Sequence, residues 1–268
     1  MGILNVTPDS FSDGGLYVSV ASAVRQAEML MKEGADIIDI GGESTRPGAL
    51  PVSAAEEVKR VVPVIKKLKE KFGKDITISI DTNKSEVAEV AIKNGATMVN
   101  SLGGFSFDAN MAWVVAKYKV SVVIYHIKGE PRTMQSGEIK YKDVVAEINT
   151  FFTKQIAIGK AYGVKRSQYI LDPGIGFGKS VLHNLTIIKK FKAFTKFKLP
   201  LLVGVSRKSH LGKILQAKFN LDDIPAPNAR IEAGLAETAV AVLNGASLVR
   251  THDVLATKKF ITILDELK

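Results

Sequence analysis

The chain has 268 residues, a hydrophobic fraction of 46%, a formal net charge of +10 and no cysteine. The last point excludes disulfide frameworks and thiolate metal centres, and no apolar run reaches the roughly 18 residues of a membrane span, so a soluble, cytoplasmic protein is expected. The length suits two small domains or one (β/α) barrel of about 250 residues.

Residues 2–7 read as a short buried strand. It breaks off at Thr7-Pro8 into a polar, glycine-hinged loop carrying Asp9, Ser10, Ser12 and Asp13. Ala23, Ala27, Leu30 and Met31 then form one apolar helical stripe. The apolar run 37–42 leads into a second polar loop, Glu43-Ser-Thr-Arg-Pro-Gly48. Ser53 and Glu56 have capping-box spacing and open a helix towards Phe72, which Pro63 is expected to kink. Runs 77–82 and 98–103 flank a helix built on Val87, Val90 and Ala91, and Asn94-Gly95 stops it. Trp113 falls in a helical segment and is assigned to the core. Strands follow at 121–126, 169–174, 201–206 and 247–252, and helices at 143–162, 184–195, 230–243 and 253–267. The lysine clusters from Lys59 to Lys74 and from Lys189 to Lys198 lie on such helices. With no nucleic-acid-binding signature beside them, they read as solvated faces whose field would draw in an anionic substrate.

A weak repeat supports the alternation. Glu33-Gly-Ala-Asp36, Asn94-Gly-Ala-Thr97 and Asn244-Gly-Ala-Ser247 each join a helix to a strand, with Gly ending the helix in a left-handed conformation. Eight strand–helix units without a linker predict an α/β protein, a single (β/α)8 TIM barrel over residues 1–268. The alternative, a doubly wound open sheet, would normally carry a G-x-G-x-x-G turn after its first strand, and none is present.

The strand ends carry polar groups: Asn5, Asp39, Asp81, Asn100, His126, Asp172, Ser206 to Lys208, and Arg250 with His252. In a barrel these converge on one mouth, where active sites lie. Asp81, Asn100 and Asp172 suit the N–H edge of a flat, nitrogen-rich heterocycle. Lys208, Arg250 and His252 form a cationic group after strands seven and eight, a frequent phosphate position, and Arg46 offers a second clamp. The run 172–180 looks like a P-loop, but its first required glycine is Pro173; it reads as a tight loop whose Phe177 can flank a ring. The four histidines show no zinc spacing, and His183 and His210 read as surface or helix-start residues.

Five motifs in order, Asn5-Val-Thr-Pro-Asp-Ser-Phe-Ser-Asp-Gly14, Gly41-Gly-Glu-Ser-Thr-Arg-Pro-Gly48, Asp172-Pro-Gly-Ile-Gly-Phe-Gly-Lys179, Ser206-Arg-Lys-Ser209 and Arg250-Thr-His-Asp253, closely resemble those of the dihydropteroate synthases of folate biosynthesis. That family joins 4-aminobenzoate to 6-hydroxymethyl-7,8-dihydropterin diphosphate, releasing diphosphate. The resemblance implies pterin contacts at Asp81, Asn100, Asp172 and Lys208, and diphosphate contacts at Asn5, Arg46, Arg250 and His252. It places Mg²⁺ near Asn5. Phe11, Thr45, Pro47 and Ser209 are implied as 4-aminobenzoate contacts, and Asp9 with Arg46 as loop-closure residues. Lys208, Arg250, His252 and Asp172 are the implied catalytic groups, and a homodimer packed through late helices is implied as well. Three departures stand out. Asn100 is followed by Ser101 where the family has Asp. Tyr125 replaces a usual Met, which reads as minor. Met1 sits directly on the first strand, so the native chain is expected to begin upstream or to be fused to the preceding pathway kinase. A pterin-binding methyltransferase and a catalytically silent pterin-binding paralogue are the alternatives.

Overall fold

Alternate residues of the strands over 98–102, 121–125, 169–172 and 202–203 go to two different cores. Ile38 and Ile40, Ile78 and Ile80, Val99, Val122 and Ile124, Leu171 and Val203 pack with helix residues such as Ala27, Val64, Leu68, Val115 and Phe152. Met98, Leu102, Val123, Tyr125, Ile170 and Leu202 form a second, separate cluster. A period of two sends neighbours to opposite faces of a sheet, so strands apolar at every position must be covered on both sides. Helices cover the outer face. The inner face covers itself, because the sheet is closed.

The structure, a computed structural model, describes residues 1–7, 16–44 and 50–267. In chain order the elements are β1 (Gly2–Asn5), α1 (Leu16–Lys32), β2 (Ile38–Gly41), α2 (Ala54–Phe72), β3 (Ile78–Asp81), α3 (Ser85–Lys93), β4 (Met98–Leu102), α4 (Asn110–Tyr118), β5 (Ser121–Tyr125), α5 (Val144–Ala161), β6 (Tyr169–Asp172), α6 (Val181–Lys189), β7 (Leu202–Val203), α7 (Ser209–Phe219), α8 (Ile231–Leu243), β8 (Leu248–Val249) and α9 (Val254–Glu266). Strands β1 to β6 pair in parallel in that order, and β7 pairs with β8. Parallel bridges Leu171↔Leu201 and Gly2↔Thr251 join that pair to both edges of the six-stranded sheet. The eight strands therefore close into the expected TIM barrel, although β7 and β8 are only two residues long. No helix among the described residues is long and apolar enough to cross a membrane.

The helix–strand junctions repeat at the level of single hydrogen bonds. Gly34, Gly95 and Gly245 have φ of 98°, 118° and 106°. The following alanine N–H reaches five residues back in each case: Ala35 to Leu30, Ala96 to Ala91, and Ala246 to Ala241. This bond is the signature of a Schellman stop, which requires a residue tolerant of positive φ. Ser53 accepts from the Glu56 N–H at 3.2 Å and starts α2, which continues through Pro63 to Phe72. The predicted helix over 184–195 divides into α6 and a 3₁₀ run, Phe191–Phe197.

Two core assignments differ. Trp113 is 46% exposed, because Met111, Ala112, Val114 and Val115 take the buried face of α4; its ring instead lies under the Lys117 ammonium, 4.3 Å from the centroid. His210 starts α7 but is buried, with Nε2 2.9 and 3.0 Å from the two carboxylate oxygens of Glu237.

Candidate active site

The strand register builds the mouth. Asn5, Gly41, Asp81 and Asn100 lie in one row across β1 to β4. On the next strands Tyr125 faces Asp172. Asp39 precedes Gly41 by two residues, so it shares the inner face but lies one layer deeper. It is not at its strand's end, as the sequence reading had it.

One arginine organises this row. Arg250 Nε donates to Asp39 Oδ2 at 2.7 Å, and its Nη2 donates to Asp81 Oδ2 at 2.7 Å. Asn100 Nδ2 donates to the same Asp39 oxygen at 2.9 Å. The Tyr125 hydroxyl donates to Asp81 Oδ1 at 3.0 Å. Asp39 is fully buried, and its Oδ1 has no hydrogen-bond partner among the described residues. Burial raises the Asp81 carboxyl to about 7, helped by Asp39 and opposed by Arg250. Burial also raises Asp172 to about 6, against the pull of the Gly174 N–H, Lys208 and Arg250. Burial disfavours the charged guanidinium of Arg250, yet Asp39 and Asp81 outweigh it and hold the group above its ordinary value. The sequence places Arg250 on a cationic rim; the fold gives it two carboxylate partners inside the barrel.

The opposite side of the mouth is formed by the loops after β6 and β7. Asp172 Oδ1 accepts from the Gly174 N–H at 2.7 Å, which closes the turn. Gly174 has φ 70°, and a Cβ there would come within 1.8 Å of the His126 carbonyl oxygen. Gly174→Ala is therefore expected to lower stability by about 3 kcal/mol or more, from backbone strain plus overpacking. An unchanged melting temperature would contradict this. Gly176 leaves space for the Lys208 stem, whose Cδ would lie 3.0 Å from a Cβ at that position. The Lys208 ammonium sits 3.9 Å from the Phe177 centroid, and Phe177 meets Tyr125 edge-on at 5.3 Å. Arg207 adopts φ 60° and is locked by two bonds to Asp253, at 3.1 and 2.6 Å. Positive φ at a non-glycine residue is costly, and such strain gathers at functional sites. Burial lowers Lys208 to about 8, with Arg250 adding to the effect.

His252 corrects another expectation. Burial, followed by Arg250 and Arg207, lowers its imidazole to about 3. It is a neutral hydrogen-bonding ring at physiological pH, with Nδ1 3.1 Å from Ser206 Oγ, and not a third cation. His126 is also drawn away from the expected ring: its Nδ1 lies 2.9 Å from the buried Lys179 Nζ, which ties β5 to the loop after β6. Ser101 is on the helix-facing side of β4 and donates to the Gly104 carbonyl at 2.6 Å. It closes a turn outside the mouth.

Asp9, Phe11, Thr45, Arg46 and Pro47 lie outside the described residues. The stem of the second loop is nevertheless firmly held. Arg60 donates to the Gly42 carbonyl at 3.0 Å, Glu43 accepts from the Val52 N–H at 2.9 Å, and Lys84 joins Glu43 at 2.5 Å to the fully buried Glu57 at 2.7 Å. Ser209 is exposed at the start of α7. It borders a cavity of about 430 Å³ that Gln135, Gly176, Lys179, Asn184 and Lys213 also line. Among the described residues there is no group of three or more His, Cys, Asp or Glu that could hold a metal ion.

This arrangement has known counterparts. The pterin binding enzyme family matches residues 1–252. A dihydropteroate synthase of Synechocystis sp. is 44% identical over 267 residues, covering 100% of this chain and 89% of that protein. The crystal structure of a Clostridium difficile dihydropteroate synthase in the presence of pteroic acid superposes with a TM-score of 0.90 at 43% identity, covering 100% of this chain and 95% of the other. A Xanthomonas albilineans dihydropteroate synthase with 4-aminobenzoic acid gives a TM-score of 0.90 at 37% identity, covering 100% and 92%. With its carboxylates, amide and cations gathered at the mouth of a closed barrel, and with these relatives matched along its whole length, the chain belongs to the pterin binding enzymes.

Proposed function

We propose that Asp81, Asn100, Asp172 and Lys208 grip the pterin, and that Asn5, Arg46, Arg250 and His252 receive its diphosphate. Phe11, Thr45, Pro47 and Ser209 contact 4-aminobenzoate. The reaction is that of a dihydropteroate synthase, a transferase of folate biosynthesis. The bond between the pterin methylene carbon and its oxygen breaks, and diphosphate leaves with the electron pair. The amine nitrogen of 4-aminobenzoate then bonds to the methylene carbon and loses a proton. One observation carries the residue assignment: Arg250 bonds to Asp39 and Asp81 at once, which supports a cation for the anion beside a carboxylate for the heterocycle.

As the carbon–oxygen bond stretches, positive charge grows on the pterin and negative charge on the leaving group. Asp172 stabilises the first, while Lys208 and Arg250 stabilise the second, which is differential binding of the transition state. Of the five N–H donors of the Arg250 guanidinium, the bonds to Asp39 and Asp81 use two, and the others serve the leaving group. An aniline-type nitrogen is already nucleophilic, so the site needs no strong base. Its carboxylate partner is drawn to the N-terminus of α7 at Ser209, with Lys213 one turn on. Closing Asp9 and Arg46 over the site excludes water that would quench the cation.

Mg²⁺ fits this site as a companion of the substrate. Mg²⁺ is commonly held by substrate phosphates, waters and one or two protein oxygens. The Asn5 amide oxygen would serve as one such ligand, and the ion would supply neutralisation of leaving-group charge. A homodimer in the cytoplasm belongs to the same reading; exposed Phe219, Leu221, Ile224 and Leu243 on the late elements offer apolar surface for it. The test is an assay of the purified chain with pterin diphosphate, with and without 4-aminobenzoate. Dihydropteroate and diphosphate should form together when both substrates are present. A folded protein that binds the pterin and releases no diphosphate would sink the reading.

A further inference from the structure

Each oxygen of the Asp81 carboxylate already has a donor. Arg250 holds Oδ2 at 2.7 Å, and the Tyr125 hydroxyl holds Oδ1 at 3.0 Å. Tyr125 ends β5, belongs to the cylinder-lining cluster and is 4% exposed. Its ring meets Phe177, which in turn carries the Lys208 ammonium. The phenol thus links the carboxylate on one side of the mouth to the ring-and-lysine pair on the other. A side chain that only filled space there would need no hydroxyl. A carboxylate offers about four lone-pair sites, and two donors leave two free in a fixed plane.

Resting on the reading above, we infer that Tyr125 is a positioning residue for the pterin: its O–H fixes the rotation of the Asp81 carboxylate, so that the unused lone pairs are aimed at the ligand's N–H edge before it arrives. Arg250 alone would leave the group free to pivot, and each binding event would have to order it. The hydroxyl also favours the ionised carboxylate, which accepts best from an amidine-like edge. It does so against burial and against Asp39 from β2 and Glu57 from α2, in concert with Arg250 after β8; Lys208, after β7, also faces the group.

The test is Tyr125→Phe, which keeps the ring and removes one oxygen. The KM for pterin diphosphate should rise roughly five- to tenfold, the loss of one well-made hydrogen bond, while kcat and the KM for 4-aminobenzoate change less than about twofold. The acidic limb of kcat/KM should move to higher pH, because Asp81 loses a donor that favours its charge. In an Asp81→Asn background the same substitution should change the KM by less than about twofold. Calorimetry with 6-hydroxymethylpterin, on wild type and variant alike, reads the same loss without turnover. Poor folding would lower the active fraction and kcat, not KM, and Tyr125→Met supplies a second variant lacking the hydroxyl. Wild-type pterin affinity in both variants, or an equal loss in the Asp81→Asn background, overturns the inference. A wild type that binds the pterin and forms no dihydropteroate strikes the reaction assignment instead, and the calorimetric comparison still decides the role of Tyr125.

Discussion

Arg250→Ala is expected to lower stability by about 3–5 kcal/mol and turnover by about a hundredfold or more. The stability cost follows from the partners left behind. Asp39 is fully buried, and one of its oxygens is already without a partner among the described residues. Deleting Arg250 strips the other oxygen of its charge-assisted bond and leaves only Asn100 beside it. Asp81 escapes part of the penalty, because its raised pKa lets it take up a proton. The two losses can be separated. Arg250→Met combined with Asp39→Asn removes both charges and keeps their volume, so most of the stability should return while turnover stays low. Denaturant unfolding and the dihydropteroate assay give the two readouts. An Arg250→Ala protein as stable as wild type would contradict the buried network. A double variant with restored turnover would contradict the place of Arg250 in the reaction.

The position of Arg250 shows where sequence reading succeeds and where it stops. The barrel is legible because its determinants are local. Near-continuous Ile, Val and Leu runs mark strands covered on both faces, and the Gly-Ala junctions encode the Schellman stops one helix at a time. Most of the mouth layer is legible as well, since a polar residue closing an apolar run emerges at one rim; Asp39, one layer deeper, and His126, turned to Lys179, are the exceptions. Pairing within that layer is not legible. Arg250 meets Asp39 and Asp81 across 211 and 169 residues, and Tyr125 meets Asp81 across 44. Those contacts depend on the strand register and on the closure of the sheet, which no local signal contains. The same reason explains His252, whose motif suggests a cation until the fold buries it and places Arg250 and Arg207 beside it. It explains Tyr125 too: as a substitution in a string it looks minor, and only its neighbour gives the oxygen a purpose. Ser101 is the converse case. Next to Asn100 it looks like a lost charge in the site, but period-two alternation sends it to the outer face of β4.

Lys208→Ala is expected to lower turnover by roughly a hundredfold, as removal of a preorganised charge does, and to change the pH profile in a way that identifies the lysine. Burial, then the neighbouring Arg250, lowers the ammonium to about 8, while Asp172 and Asp81 work in the other direction. Below that value the group is charged and stabilises the departing diphosphate. Above it the charge is lost, so wild-type kcat/KM for pterin diphosphate, which reports the free enzyme, should fall along an alkaline limb centred near 8. Lys208→Arg, which keeps its charge in this range, should move that limb upward even if the rate is reduced. Folding stability has the opposite sign. The unfolded lysine titrates near about 10.4, so between roughly 8 and 10.4 the unfolded chain binds more protons than the folded one. The Lys208 contribution to stability therefore rises with pH across the window in which kcat/KM falls. Lys208→Ala should remove both slopes together. An alkaline limb that survives unchanged in Lys208→Ala and Lys208→Arg would assign the titration to another group and leave Lys208 without its role at the leaving group.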